Sequence, residues 1–127
     1  MYNRMTLSGP QKDIKDLFKF IKSDRTFFDK ESTLFDFERV VPIPPAKEYS
    51  KNWYNWNIEH WGTKWNAYDC KHNDNTLIFT TAYTIPYNIL IALSEKYKHI
   101  FIDVQYQEEV NTDTNGKFTL HNGKLST

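Results

Sequence analysis

Twice along this chain, a short alternating segment adjoins an apolar stripe at helical spacing. Ile14, Leu17, Phe18 and Ile21 recur at i, i+3, i+4 and i+7 just after the alternating residues 2–7. That spacing is one face of a 3.6-residue helix. Ile85, Ile89, Ala92, Leu93 and Tyr97, widened by Leu90, make a second stripe just before residues 100–106, where Ile100, Ile102, Val104 and Tyr106 alternate with polar neighbours. A helix with one apolar stripe has to bury it against another layer, and strands with one apolar face supply that layer. The start signals agree. Ser8 or Gly9 caps a helix over 10–22, with Pro10 in its first turn and Gln11 three positions after Ser8. Thr84 caps a second helix over 85–98, with Pro86 in its first turn.

The rest of the chain fills in around these two units. Residues 24–33 are polar and read as a loop. Residues 34–41 read as a strand stopped by Pro42-Ile43-Pro44-Pro45, since proline has no N–H for a ladder. Residues 50–61 read as a short helix capped by Ser50 and closed by Gly62 in the left-handed conformation. Residues 63–70 alternate, His72-Asn73-Asp74-Asn75 is a turn cluster, and 76–82 are apolar and β-branched, which predicts a hairpin. Asn115-Gly116 and Asn122-Gly123 are hairpin-turn signals flanking a strand at 117–121. The order β-α-β, insert, β-β-α-β predicts one domain over 1–127. Its class is α+β, with a ferredoxin-like, mainly antiparallel sheet, two helices on one face and a small C-terminal strand. The opposite face is then either solvated or covered by the tryptophan-bearing insert.

Composition narrows the function classes. A chain of 127 residues fits one core. The 16 basic and 16 acidic side chains cancel, which argues against a nucleic-acid binder driven by phosphate neutralisation. No apolar run approaches a membrane span, and the first residues lack a secretory apolar stretch. The single Cys70 rules out an internal disulfide and fits a reducing cytosol. The expected location is therefore the cytoplasm.

Aromatics make up 17% of the chain, and the strongest cluster is Trp53, Trp56, Trp61 and Trp65. One reading is a recognition surface, because tryptophan offers a large rigid face and one N–H donor. On that reading Trp53, Trp61, Lys64, Asn66 and Tyr68 are the partner-binding candidates. The other reading is a small core, with Trp56 and Trp65 buried against the sheet and Trp53 and Trp61 partly exposed. Other chemistry is poorly supported. Asp69, Cys70, His72, His60, His99 and His121 lack the spacing of a structural metal site, and Cys70 with His72 or His60 is the sole Cys/His pair for nucleophilic catalysis. Asp36/Glu38 and Glu108/Glu109 are carboxylate pairs of a kind that solvated strands and loops often carry. Gly9, Gly62, Gly116 and Gly123 are isolated, so no phosphate-cradling loop exists. No strand carries the basic-aromatic motif of RNA-recognition domains, and Lys12, Lys15, Lys19 and Lys22 alternate with acids on a solvated helix face. No catalytic residue, metal or cofactor is expected.

Residues 52–69, from Asn52-Trp53-Tyr54-Asn55-Trp56 through Trp61-Gly62-Thr63-Lys64-Trp65 to Tyr68-Asp69, resemble the YubB-type proteins of plasmids and phages. Asp36-Phe37-Glu38-Arg39-Val40-Val41-Pro42 is similar to that family's strand-then-proline segment, and Phe79-Thr80-Thr81-Ala82-Tyr83-Thr84-Ile85-Pro86 to its strand-to-helix junction. The resemblance spans roughly residues 34–121. It implies a ferredoxin-like domain and a phage, prophage or plasmid setting, and it brings no catalytic residues. The expected role is a non-enzymatic accessory protein that binds a protein partner, a host factor among the options. The alternative is single-stranded nucleic-acid binding on the sheet face.

Overall fold

The computed structural model describes residues 1–24, 26–27 and 32–127. In chain order its elements are β1 (Tyr2–Ser8), α1 (Gln11–Phe20), α2 (Phe37–Val40), α3 (Ala46–His60), β2 (Tyr68–Asn73), β3 (Thr76–Thr80), α4 (Tyr87–Lys96), β4 (Phe101–Gln107), β5 (Asn115–His121) and β6 (Lys124–Ser126). The strands form one sheet in the order β2-β3-β1-β4-β5-β6, and every neighbouring pair is antiparallel. Without the α2–α3 insert and the β5–β6 extension, β1-α1-β2-β3-α4-β4 in the order β2-β3-β1-β4 is the ferredoxin-like α+β fold.

Period-two alternation decides the faces. Met5 of β1 pairs with Leu77 of β3 and Val104 of β4, and Val104 pairs with Phe118 of β5. Leu7, Ile102 and Leu120 make the next inward row. Ile14, Leu17 and Phe18 of α1 and Ile89, Leu90 and Leu93 of α4 join these residues in one buried cluster. Both long helices therefore cover the same face, as their stripes require.

Several local expectations are corrected. Residues 34–41 form no strand; Asp36 caps α2 instead, its carboxylate accepting the Glu38 N–H at 3.0 Å. The insert helix starts at Ala46 rather than Ser50, with Pro45 as its N-cap and a kink at Asn52 (φ −144°, ψ 30°). The Ser50 hydroxyl bonds back to the Lys47 carbonyl. Gly62 does take the left-handed conformation (φ +82°) that closes the helix. Pro10 and Pro86, not Ser8, Gly9 or Thr84, occupy the N-cap positions of α1 and α4; the Thr84 hydroxyl instead donates to the Gly62 carbonyl at 2.7 Å. The first hairpin strand begins at Tyr68, not 63. Asn115-Gly116 is not a turn but lies within β5, where Gly116 gives the Tyr106 ring room that any Cβ would fill. Asn122-Gly123 is the turn expected, with φ of 50° and 78°. The polar loop expected over 24–33 includes residues 25 and 28–31, which lie outside the described residues. Among the described residues, no helix is long and apolar enough to cross a membrane.

Leu93 of α4 and Ile102 of β4 both belong to the buried cluster and have no exposed surface. Leu93→Ala and Ile102→Ala are each expected to cost about 2–5 kcal/mol, the usual loss for a truncated core aliphatic. Urea melts measure this, and losses below about 0.5 kcal/mol would contradict the assignment of faces.

Candidate functional site

The insert packs on the helix side of the sheet, and aromatic rings carry the contact. Phe79 of β3 meets Phe35 edge-on at 4.9 Å, Phe35 meets Phe37 at 5.0 Å, and Phe37 meets Trp61 at 5.7 Å. Trp61 then meets Trp56 at 5.6 Å, and Trp56 meets Tyr49 at 5.6 Å. Edge-to-face pairing is a preferred geometry of aromatic quadrupoles.

Hydrogen bonds fix the loop beside this chain of rings. Asn66 Oδ1 accepts the N–H groups of Phe37 (2.8 Å) and Ala67 (2.9 Å), and its Nδ2 donates to Asp36 Oδ1 (2.8 Å). Asn57, fully buried, accepts from the Tyr49 hydroxyl at 2.6 Å and donates to the Lys64 carbonyl at 2.8 Å. The Thr63 hydroxyl donates to the Trp65 carbonyl at 2.8 Å. Side-chain bonds thus take backbone groups that a strand ladder would have used, which is why residues 63–67 stay irregular.

Between α3, this loop and residues 32–38 lies a cleft of about 860 Å³. Trp53, Trp61, Trp65, Tyr49 and Tyr68 line it, together with Glu38, Asp69 and Cys70. Trp61 is only 2% exposed, its indole N–H donating to the Val41 carbonyl at 3.0 Å. Trp65 is 41% exposed, and the Lys64 ammonium lies 4.5 Å from its ring centre. This reverses the expected exposure of two of the four tryptophans. Trp61 sits where the chain turns back at Gly62 onto Phe37, whereas Trp65 lies in the irregular loop, with no pleat to direct it into the sheet. Trp53 and Trp56 are half-buried.

The cleft's polar groups are shaped by burial. Glu38 accepts the Phe27 N–H at 2.9 Å, yet desolvation, with a smaller contribution from the Asp36 charge, raises its carboxyl above the ordinary value. Burial also pushes the Tyr49 hydroxyl up to about 12. The Cys70 thiol is raised chiefly by burial, the opposite of what an activated nucleophile needs. Cys70 faces Thr33 Oγ at 3.9 Å. His72 packs on the Phe18 ring and His60 stacks on Trp56, so the structure does not assemble the Cys/His pair considered from sequence. Among the described residues, no three His, Cys, Asp or Glu side chains gather as a metal group.

Of the five partner-binding candidates, Trp53, Trp61, Asn66 and Tyr68 line the cleft and Lys64 stands at the outer Trp65 ring. Trp61 is largely covered, and the Asn66 amide is engaged within the fold, so both shape the cleft more than they present a surface. Sequence reading missed Tyr49 and the role of Glu38. Pro45 followed by Ala46 and Glu48 was the available signal for an earlier helix start, which would have placed Tyr49 on α3.

The opposite sheet face is open. Lys71, Ile78, Arg4, Gln105 and Lys117 form one row across β2, β3, β1, β4 and β5. Tyr68, Thr80, Tyr2, Gln107 and Asn115 form the adjacent row. Neither row contains a carboxylate. The insert does not cover this face, because its rings join Phe79, an inward residue.

Trp61→Ala should cost about 3–5 kcal/mol, as buried large aromatics do, whereas Trp65→Ala should cost about 1 kcal/mol or less. Denaturant melts of the two variants test this; equal losses would mean that Trp65 belongs to the core.

The family described as the ferredoxin-like domain in Api92-like protein matches residues 64–127, about half of the chain. No curated protein and no solved structure matches it.

Proposed function

From a chain that belongs to the family of the ferredoxin-like domain in Api92-like protein, we propose a non-enzymatic accessory protein that holds a segment of a protein partner in the tryptophan-lined cleft. The observation that carries this reading is the cleft itself: about 860 Å³, walled by indole and phenol rings and open at Trp65. Aromatic-lined grooves of this kind suit extended peptide segments, because rigid rings give contact area at little entropic cost. The hydrogen bonds of Asn57 and Asn66 support it, since they hold the walls in place before any partner arrives. The raised Cys70 thiol supports binding over cysteine chemistry. A phage, prophage or plasmid origin, and action in the cytoplasm of a host cell, rest on the resemblance to YubB-type proteins.

A second reading rests on the open sheet face. Arg4, Lys71 and Lys117 stand two strands apart, about 10 Å, with Tyr2 and Tyr68 in the neighbouring row. Among the described residues, none of the three pairs with a carboxylate. Cations spaced along aromatic residues suit a single-stranded nucleic acid. Three phosphate contacts would give a plot of log affinity against log salt a slope of about −2. Titration of a fluorescent oligonucleotide checks this, with Arg4→Ala expected to make the slope shallower; a salt-independent signal would remove the reading.

The principal reading is tested with a displayed library of random 12-residue peptides selected on the wild-type protein. Enriched peptides should lose most of their binding to Trp65→Ala, a variant expected to keep its fold because Trp65 is 41% exposed. Enrichment that ignores Trp65 would overturn the cleft as the partner site.

A further inference from the structure

We infer that the cleft recognises an arginine side chain of the partner segment. This rests on the peptide-binding reading and specifies its chemistry. The cleft's described lining includes two carboxylates, Glu38 and Asp69, and neither lysine, arginine nor histidine. Among the described residues, neither carboxylate has a basic partner. In a protein of zero formal net charge, the described part of this concavity therefore sets two carboxylates without an ion-pair partner among indole rings.

Both features select the same guest. The face of an indole ring carries negative potential and attracts cations, more strongly where water is excluded. Lys64 already illustrates this on Trp65, its ammonium 4.5 Å from the ring centre. The buried Trp61 and the exposed Trp65 give the cleft a floor and a rim. Glu38 is half-buried, and its Oε2 accepts the Phe27 N–H. Desolvation without a counter-charge disfavours its ionised form. A bound cation would offset that cost, so guest and carboxylate stabilise each other.

Arginine fits better than lysine. Its planar guanidinium stacks flat on an indole while its N–H fork reaches a carboxylate, and it is more weakly hydrated than an ammonium. Tyr68, on the cleft's β2 side, adds a third ring. Asp69 has φ of 51°, where asparagine is equally tolerated, so its charge can be removed without straining the backbone. Gln at position 38 keeps an oxygen for the Phe27 N–H.

The test uses three blocked peptides, acetyl-Gly-Pro-X-Pro-Gly-amide, with X as arginine, lysine or citrulline. Citrulline keeps the shape of arginine and lacks its charge. Binding is read from the NMR shift of the Trp65 indole N–H, assigned with Trp65→Phe. The arginine peptide should shift it saturably. The citrulline peptide should bind about tenfold more weakly, the equivalent of one partly desolvated cation–π contact, with lysine in between. The Glu38→Gln/Asp69→Asn double variant should lose about the same factor for arginine and barely change for citrulline, at an unchanged melting temperature. Equal binding of arginine and citrulline, an unaffected double variant, or no shift with any of the three would overturn the inference. Library peptides that depend on Trp65 but show no arginine preference would overturn it while leaving the peptide-binding reading intact. Absence of any Trp65-dependent peptide would overturn both.

Discussion

The run of edge-to-face rings from Phe79 to Tyr49 is the contact on which the rest of the arrangement depends. α2 is only Phe37–Val40, too short to persist alone, and α3 is broken at Asn52. Helices of that length need tertiary support. The rings supply it, each meeting the next at 4.9–5.7 Å. Because the first ring belongs to an inward-facing strand residue, the insert is drawn to the side where α1 and α4 already lie.

That placement divides the surface in two. On the helix side, the insert and the loop before β2 enclose a cleft whose described lining has carboxylates and no basic residue. On the other side, the sheet keeps a row with Arg4, Lys71 and Lys117. A formal net charge of zero therefore describes the sum and not the field. Local charge, which steers and selects partners, is negative in one concavity and positive across one face.

What could be read in the sequence follows from how far each signal reaches. β1, α1, α4 and β4 are written in local periodicity, and Asn122-Gly123 and Gly62 in backbone conformations that few residues adopt; these were legible. Residues 34–41 alternate well enough to suggest a strand. Asp36 changes the outcome, because its carboxylate caps α2 and also takes the Asn66 amide from 30 residues away. Residues 63–67 likewise alternate but give their backbone groups to Thr63 and Asn66 side chains. The tryptophans expose the same limit. Composition marked the cluster, but whether Trp61 or Trp65 is buried depends on where the chain turns and on which distant carbonyl the indole N–H meets.

Tyr68 joins the two surfaces. It pairs with Thr80 at the start of β2, and the register shifts between Tyr68 and Lys71, with Asp69 in the left-handed conformation. A bulge of this kind re-aims side chains along a strand. Here it lets Tyr68 and Asp69 line the cleft while Lys71, two positions further, lies in the cationic row of the open face. A regular strand would have kept Tyr68, Cys70 and His72 on one face and Asp69 and Lys71 on the other. The irregularity is therefore what sets Tyr68 and Lys71, three positions apart, on the same face of the sheet, and it ties the geometry of the cleft's rim to that of the sheet.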